Sequence, residues 1–250
     1  VGSAALGANA TVANNTAVGQ GALEANTASY NTAVGQGALY ANTTGTRNTV
    51  VGNNAMDACT IGRYNVAMGY NALGVDVDGD YSVAIGYSAL ENQESDSANQ
   101  VVYNTALGAN AGLNLSTGIR NTFVGGAAAS NATVTGDENT GIGYTALYAL
   151  TTGASNVCVG NGTGSEITTG SNNIAIGEAA GNTGSPGGAQ TTGSNEIFLG
   201  DENITAANIQ VDWTVASDER DKTDIEDLDV GLEFVNQLQP KTYRWDQRSL

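Results

Sequence analysis

Asn31-Thr32-Ala33-Val34-Gly35 and Asn48-Thr49-Val50-Val51-Gly52 are two rungs of one ladder. The same pentapeptide returns as Asn15 to Gly19, Asn65 to Gly69, Ser82 to Gly86, Asn104 to Gly108, Asn121 to Gly125, Asn139 to Gly143, Asn156 to Gly160 and Asn173 to Gly177, and a degenerate copy, Glu196-Ile-Phe-Leu-Gly200, closes the series. Gly2 marks the end of a truncated first copy, and from it successive anchor glycines lie 17, 16, 17, 17, 17, 22, 17, 18, 17, 17 and 23 residues apart. A period so nearly constant identifies a repeat architecture.

Within each copy the residue before the glycine is aliphatic, as in Val18, Met68, Leu107 and Ile176, and the residue two places earlier is β-branched, as in Thr16, Val66, Thr105 and Ile174. Positions two apart share one face of a strand. Each copy therefore reads as a short strand whose Thr/Val and aliphatic positions form a buried face, with an aliphatic ladder inside and an Asn ladder at the turn. Ala follows three residues after nearly every anchor glycine (Ala22, Ala38, Ala55), and turn chemistry such as Asn42-Thr-Thr-Gly45 completes the repeat. A 17-residue period is too short for a propeller blade or a helix pair and fits one coil of a β-solenoid. The expected fold is all-β: a parallel solenoid of about eleven coils stacked at roughly 4.8 Å. One coil encloses little volume, so the coils leave an apolar wall that predicts self-association along the shaft. The long steps carry Glu91 to Asp96 and Gly184 to Gly188, read as loops pushed out of a constant coil.

Composition agrees with a repetitive solid and removes whole classes of chemistry. Charged residues are 13% of the 250, about half the usual fraction, while glycines number 34. With no histidine in the chain, a Ser-His-Asp triad, a His-ligated metal and a histidine pH switch are excluded. A net charge of −17 disfavours nucleic acid and anionic membrane partners, which need clustered Lys and Arg. No apolar run reaches the roughly 18 residues of a bilayer-spanning helix, so neither membrane insertion nor an intact secretory signal is expected. Cys59 and Cys158 lack ligand-like spacing and read as unpaired small hydrophobes.

Candidate chemistry in the repeats is sparse. Asp76-Val-Asp78-Gly-Asp80 has the oxygen density of a calcium loop but not the EF-hand pattern, so a solvated acidic turn and a Ca2+ site on Asp76, Asp78 and Asp80 both stand. No other cofactor is indicated. Asp57, Asp137 and Glu138 stand apart in sequence, so no paired carboxylates for glycoside hydrolysis are apparent, and pairing in space stays open. An ice-binding Thr surface is set aside because the Thr column shares the face expected to be interior.

Composition breaks near Gly200: residues 1–200 hold 3 basic and 13 acidic residues, and residues 201–250 hold 5 and 12. The expected organisation is a solenoid shaft over 1–200, a strand or linker over 201–216, with Asn208 to Val215 alternating as a strand, and a short α+β segment over 217–250. In that segment Val230, Leu232, Phe234, Val235 and Leu238 form a helix ended before Pro240, and Tyr243 and Trp245 start a strand.

The run Ser217-Asp218-Glu219-Arg220-Asp221-Lys222, with Ile225, Leu228, Leu232, Leu238, Pro240, Tyr243 and Trp245, resembles the opening of the endosialidase-type intramolecular chaperone, a family found at the C-terminus of phage tail fibres and tailspikes. The upstream ladder is similar to repeats that accompany this domain in phage fibre proteins and, more loosely, to the YadA adhesin head, a left-handed trimeric β-roll. The resemblance implies a homotrimeric virion fibre shaft that attaches to a host receptor or glycan, and a chaperone that cuts itself off after assembly. Carried onto this chain, Ser217 is the nucleophile that attacks the Ala216 carbonyl and Lys222 is its general base. A lysine with a pKa lowered by burial can activate a serine in this way. The shaft itself is expected to have no enzymatic activity. A bacterial trimeric surface adhesin and a polysaccharide-degrading tailspike are the alternatives.

Overall fold

The computed structural model describes residues 2–8, 12–98 and 100–208. The chain divides into two units, Val1–Thr205 and Ala206–Leu250. The first is built from eleven three-residue strands, one per copy of the ladder: β1 (Thr16–Val18), β2 (Thr32–Val34), β3 (Thr49–Val51), β4 (Val66–Met68), β5 (Val83–Ile85), β6 (Thr105–Leu107), β7 (Thr122–Val124), β8 (Thr140–Ile142), β9 (Val157–Val159), β10 (Ile174–Ile176) and β11 (Ile197–Leu199). They form a single parallel sheet in chain order, with like positions paired: Thr32 opposite Thr49, Ala33 opposite Val50, Val34 opposite Val51. The parallel β-solenoid expected from the period is the fold. Among the described residues no helix is long and apolar enough to cross a membrane. The helix and strands expected beyond residue 208 lie outside the described residues.

The face assignment is reversed. In every strand from β2 to β11 the middle residue is the buried one, and its two neighbours are half-buried or exposed. Ala33, Val50, Ala67, Ala84, Ala106 and Ala175 are fully buried, while Val18, Leu107 and Ile176 each keep 46% of their surface exposed. The physical reason is volume. A coil of about 17 residues closes on an interior too narrow for two aliphatic columns from one strand, so the small middle position turns inward. The core is completed by the Ala column (Ala22, Ala38, Ala55, Ala72) and the Leu/Met column (Leu23, Leu39, Met56, Leu73) that follow the anchor glycine. The Thr column is therefore outward and half-buried, and the burial argument against an ice-binding surface falls. What interrupts that surface is Val66, Val83, Val157, Ile174 and Ile197 in the same column.

Where the inward middle residue is large, the neighbouring columns shrink. Phe123 is fully buried, and a Cβ placed on Gly112 or Gly141 would sit 3.1 and 3.4 Å from its ring. The anchor glycines are required twice over: Gly35 has φ +140°, and a Cβ there would collide with the Gly52 carbonyl of the next coil.

The Asn ladder is internal and fully engaged. Asn31, Asn48, Asn65, Asn104, Asn121, Asn139, Asn156 and Asn173 are all buried. Oδ1 of each accepts the backbone N–H at the same position in the next coil, as in Asn48 N–H to Asn31 Oδ1 at 3.0 Å and Asn65 N–H to Asn48 Oδ1 at 2.9 Å. Nδ2 donates to a turn glycine, as in Asn48 to the Gly62 carbonyl at 2.8 Å. Ser82 has no amide to offer, and Gln93 supplies one: its Nε2 donates to Ser82 Oγ at 3.0 Å and its Oε1 accepts from Asn104 Nδ2 at 3.0 Å. Gln93 is thus buried rather than part of an extruded loop, and the exposed stretch of that long step falls at Asp96 to Ala98. In the 23-residue step Ser185 is also buried, donating to the Ala179 and Gly200 carbonyls.

Candidate functional site

Side-chain alternation puts two columns of each three-residue strand on the outward sheet face, and a largely exposed column borders them on either side, giving four. The central two are the Thr/Val column and the aliphatic column, the latter running Val18, Val34, Val51, Met68, Ile85, Leu107, Val124, Ile142, Val159, Ile176, Leu199 without a polar interruption. Two residues before the Thr/Val column lies an edge containing Tyr30, Arg47, Tyr64, Tyr81, Tyr103 and Arg120, and directly after the anchor glycine lies a second edge containing Gln20, Gln36, Tyr70, Tyr87 and Tyr144. Ten gaps of about 4.8 Å and a width of about 20 Å give this face an area on the order of 1,000 Å².

The first edge is a stack. The Arg47 guanidinium lies 5.4 Å from the Tyr30 ring centre and 5.3 Å from that of Tyr64. Tyr64 stacks on Tyr81 at 4.8 Å with rings 2° from parallel, and Tyr103 follows at 5.2 Å. These residues sit at φ 54–69°, a left-handed conformation unfavourable for non-glycine residues. Stacking and cation–π contacts offset part of that cost. Farther along, Arg120 Nε meets Glu138 Oε1 at 3.0 Å. On the second edge Tyr70 and Tyr87 stack at 5.4 Å.

Asp76 and Asp80 are each engaged by protein donors. Asp80 Oδ1 accepts the Arg63 backbone N–H at 2.7 Å, and its Oδ2 binds Arg63 Nη2 at 2.6 Å. The same capping of the preceding coil is performed by Asp137 on Ile119 and by Ser171 on Ala154. Asp76 accepts from Gln93 Nε2 at 2.6 Å, Ser95 Oγ at 2.8 Å and Gly79 N–H at 3.2 Å. Both carboxylates are thereby assigned to coil-to-coil hydrogen bonding. Burial, with the neighbouring Asp76 and Asp80 charges adding to it, raises the Asp78 carboxyl above the usual range. Among the described residues no three His, Cys, Asp or Glu side chains could jointly hold a metal ion. Cys59 and Cys158 are free, fully buried thiols, pushed up to about 12 chiefly by desolvation.

Asp57 is not isolated in space. It shares an open groove of about 390 Å³ with Glu24, Tyr40, Gln20, Gln36 and Asn54, and burial raises its carboxyl, partly opposed by the Asp57 and Ala58 backbone N–H groups. The groove exists because Gly21 and Gly37 stand where the following coils carry Asn54, Asn71 and Ser88.

Ser217, Lys222 and the Ala216–Ser217 bond lie outside the described residues. Residues 217–249 match the family model described as chaperone of endosialidase. This match covers the segment singled out by its Ser-Asp-Glu-Arg-Asp-Lys motif. No curated protein and no solved structure matches the chain. Sequence reading missed the two Tyr-bearing edges. Their signal was available as every residue preceding the ladder Asn and every residue following the anchor Gly, read down the copies as columns.

Proposed function

We propose that this chain is the shaft of a virion fibre, a homotrimer that joins through the outward sheet face and mediates attachment to a host cell-surface receptor or glycan. The observation that carries the reading is the unbroken outward column from Val18 to Leu199. A monomer exposing an apolar stripe along a face of this size would exceed the few hundred Å² normally tolerated. Charge supports it: of the 13 acidic residues before position 201, only Glu138 and Glu178 lie in the four outward columns. A chain of net charge −17 can pack against copies of itself along such a face. The match at residues 217–249 supports a chain whose assembly is assisted by a C-terminal chaperone. The role of the shaft is mechanical and adhesive. The groove around Tyr40 offers the aromatic, amide and carboxylate groups that hold sugars in concave sites.

The chaperone segment releases itself by cleavage between Ala216 and Ser217. Lys222 takes the Ser217 hydroxyl proton, Oγ adds to the Ala216 carbonyl, the peptide C–N bond breaks with the proton passing to the new Ser217 amine, and water hydrolyses the ester, leaving Ala216 as the new C-terminus.

Immunogold labelling with antibody against the solenoid tests the assignment. Label on the fibres of virus particles is expected, and label confined to a bacterial surface would overturn it. Intact-mass measurement tests the cleavage: a product ending at Ala216 is expected and is lost on Ser217→Ala, whereas an uncut chain, or cleavage unchanged in that variant, would contradict it.

A further inference from the structure

The outward face is uniform at its centre and specific at its edges. Of the chain's 10 tyrosines, seven occupy the two edge columns: Tyr30, Tyr64, Tyr81 and Tyr103 on one, Tyr70, Tyr87 and Tyr144 on the other. All seven are exposed, from Tyr81 at 38% to Tyr144 at 65%. Tyrosine concentrated at the margin of an apolar stripe is the composition of an interface, where a rigid ring gives large contact area and a hydroxyl that tolerates water. The edges also occur at matched levels. Tyr64 and Tyr70 flank β4, Tyr81 and Tyr87 flank β5, and Tyr103 with the small Ala109 flanks β6.

Symmetry decides which edges can meet. When three copies turn the same face toward a three-fold axis, rotation carries the left edge of one copy against the right edge of the next, so unlike columns make contact. A two-fold pairing would instead allow each edge to meet itself. On the trimeric assembly proposed above, we infer that neighbouring protomers are joined by an aromatic seam between unlike edges, with Tyr64 against the neighbouring copy's Tyr70 and Tyr81 against the neighbouring copy's Tyr87. The aliphatic columns fill the axis, and the seam closes the three junctions around it.

Cysteine pairs in the full chain test this directly. Tyr81 and Tyr87 are six residues apart along an extended segment, roughly 20 Å, beyond the reach of a disulfide within one chain. The native thiols Cys59 and Cys158 are fully buried and do not compete. Under mild oxidation the double variant Y81C/Y87C is expected to give covalent trimers on a non-reducing gel, and each single variant is expected to give none. Because Tyr81 takes part in the Tyr64–Tyr103 stack, Y103C/A109C at β6 provides a second pair with the same expectation. Sedimentation of each variant before oxidation separates the outcomes. A trimer in which neither pair cross-links, or in which a single cysteine cross-links to itself, overturns the seam and leaves the trimer standing. A wild-type monomer overturns both.

Discussion

Asn121 accepts the Asn139 backbone N–H through Oδ1 at 2.9 Å and donates through Nδ2 to the Gly136 carbonyl at 2.9 Å. One side chain thus ties its own coil to the next at two points, and both residues are fully buried. Replacing Asn121 with Ala strands a buried N–H and a buried carbonyl, each worth about 1–3 kcal/mol. Asn121→Ala is expected to lower unfolding free energy by about 3 kcal/mol in a denaturant titration. A change below about 0.5 kcal/mol would show that the ladder is not a main tie between coils.

Phe123 depends on the absence of side chains around it. A Cβ on Gly112 would lie 2.7 Å from Leu90 Cδ2 and 3.1 Å from the Phe123 ring, at a residue with φ +61°. Gly112→Leu restores the residue found at that column in most other coils, yet it is expected to destabilise by about 2 kcal/mol or more through overpacking. Combining it with Phe123→Ala is expected to recover part of the loss. Strictly additive effects in that double-mutant cycle would contradict the packing account.

The thiols give a pH prediction. For Cys59 and Cys158 the folded pKa is raised from 9.0 to about 12 by burial. The unfolded chain therefore loses these protons first as pH rises. Their contribution is fully present below pH 9 and is lost progressively between about 9 and 12, with a slope of up to about 1.4 kcal/mol per pH unit for each thiol. The double variant Cys59→Ala, Cys158→Ala should show a shallower decline in stability over that window. In the native protein at pH 8 both thiols should resist a thiol-labelling reagent and react only on unfolding. Rapid labelling of the folded protein would contradict their burial.

Arg63 and Asp80 give a fourth test. Asp80→Asn keeps an acceptor for the Arg63 backbone N–H but removes the charge that binds its guanidinium. Because Arg63 is substantially exposed, the ion pair itself contributes little, and a stability loss near or below 1 kcal/mol is expected. Asp80→Ala also strands the N–H and should cost more. Calcium should leave the melting temperature of the wild-type protein unchanged. A calcium-dependent rise that Asp76→Asn and Asp80→Asn abolish would instead establish a cation at this turn.

The period, the strands and their parallel order were legible because the solenoid reuses one local solution, so eleven noisy copies average into a clear pattern. The direction of each strand's faces was not. Alternation says that Thr16 and Val18 share a face and that Ala17 opposes them, but it does not say which side closes on itself. That depends on the closure of the whole coil, which turns the middle column (Ala33, Val50, Ala67, Phe123) inward and leaves the column of Val34 and Met68 outside. Gln93 was misread for the same reason: its partners Asp76, Ser82 and Asn104 lie 11 to 17 residues away along the chain and meet it only when the coils stack. The hydrogen bonds that Asp76 and Asp80 accept were not legible either, because sequence displays oxygen density without the donors, Gln93, Ser95 and Arg63, that meet it. Asp57 looked isolated because the other residues lining its groove, Glu24 and Tyr40 among them, come from preceding coils.

Trimeric assembly through the outward sheet face is tested most directly by sedimentation velocity on the wild-type chain beside Leu107→Asp, which places a charge at the centre of the exposed aliphatic column. The wild type is expected to sediment at three chain masses, and Leu107→Asp as a folded monomer with unchanged far-ultraviolet circular dichroism. A wild-type monomer, or a Leu107→Asp variant that remains fully trimeric, would contradict it.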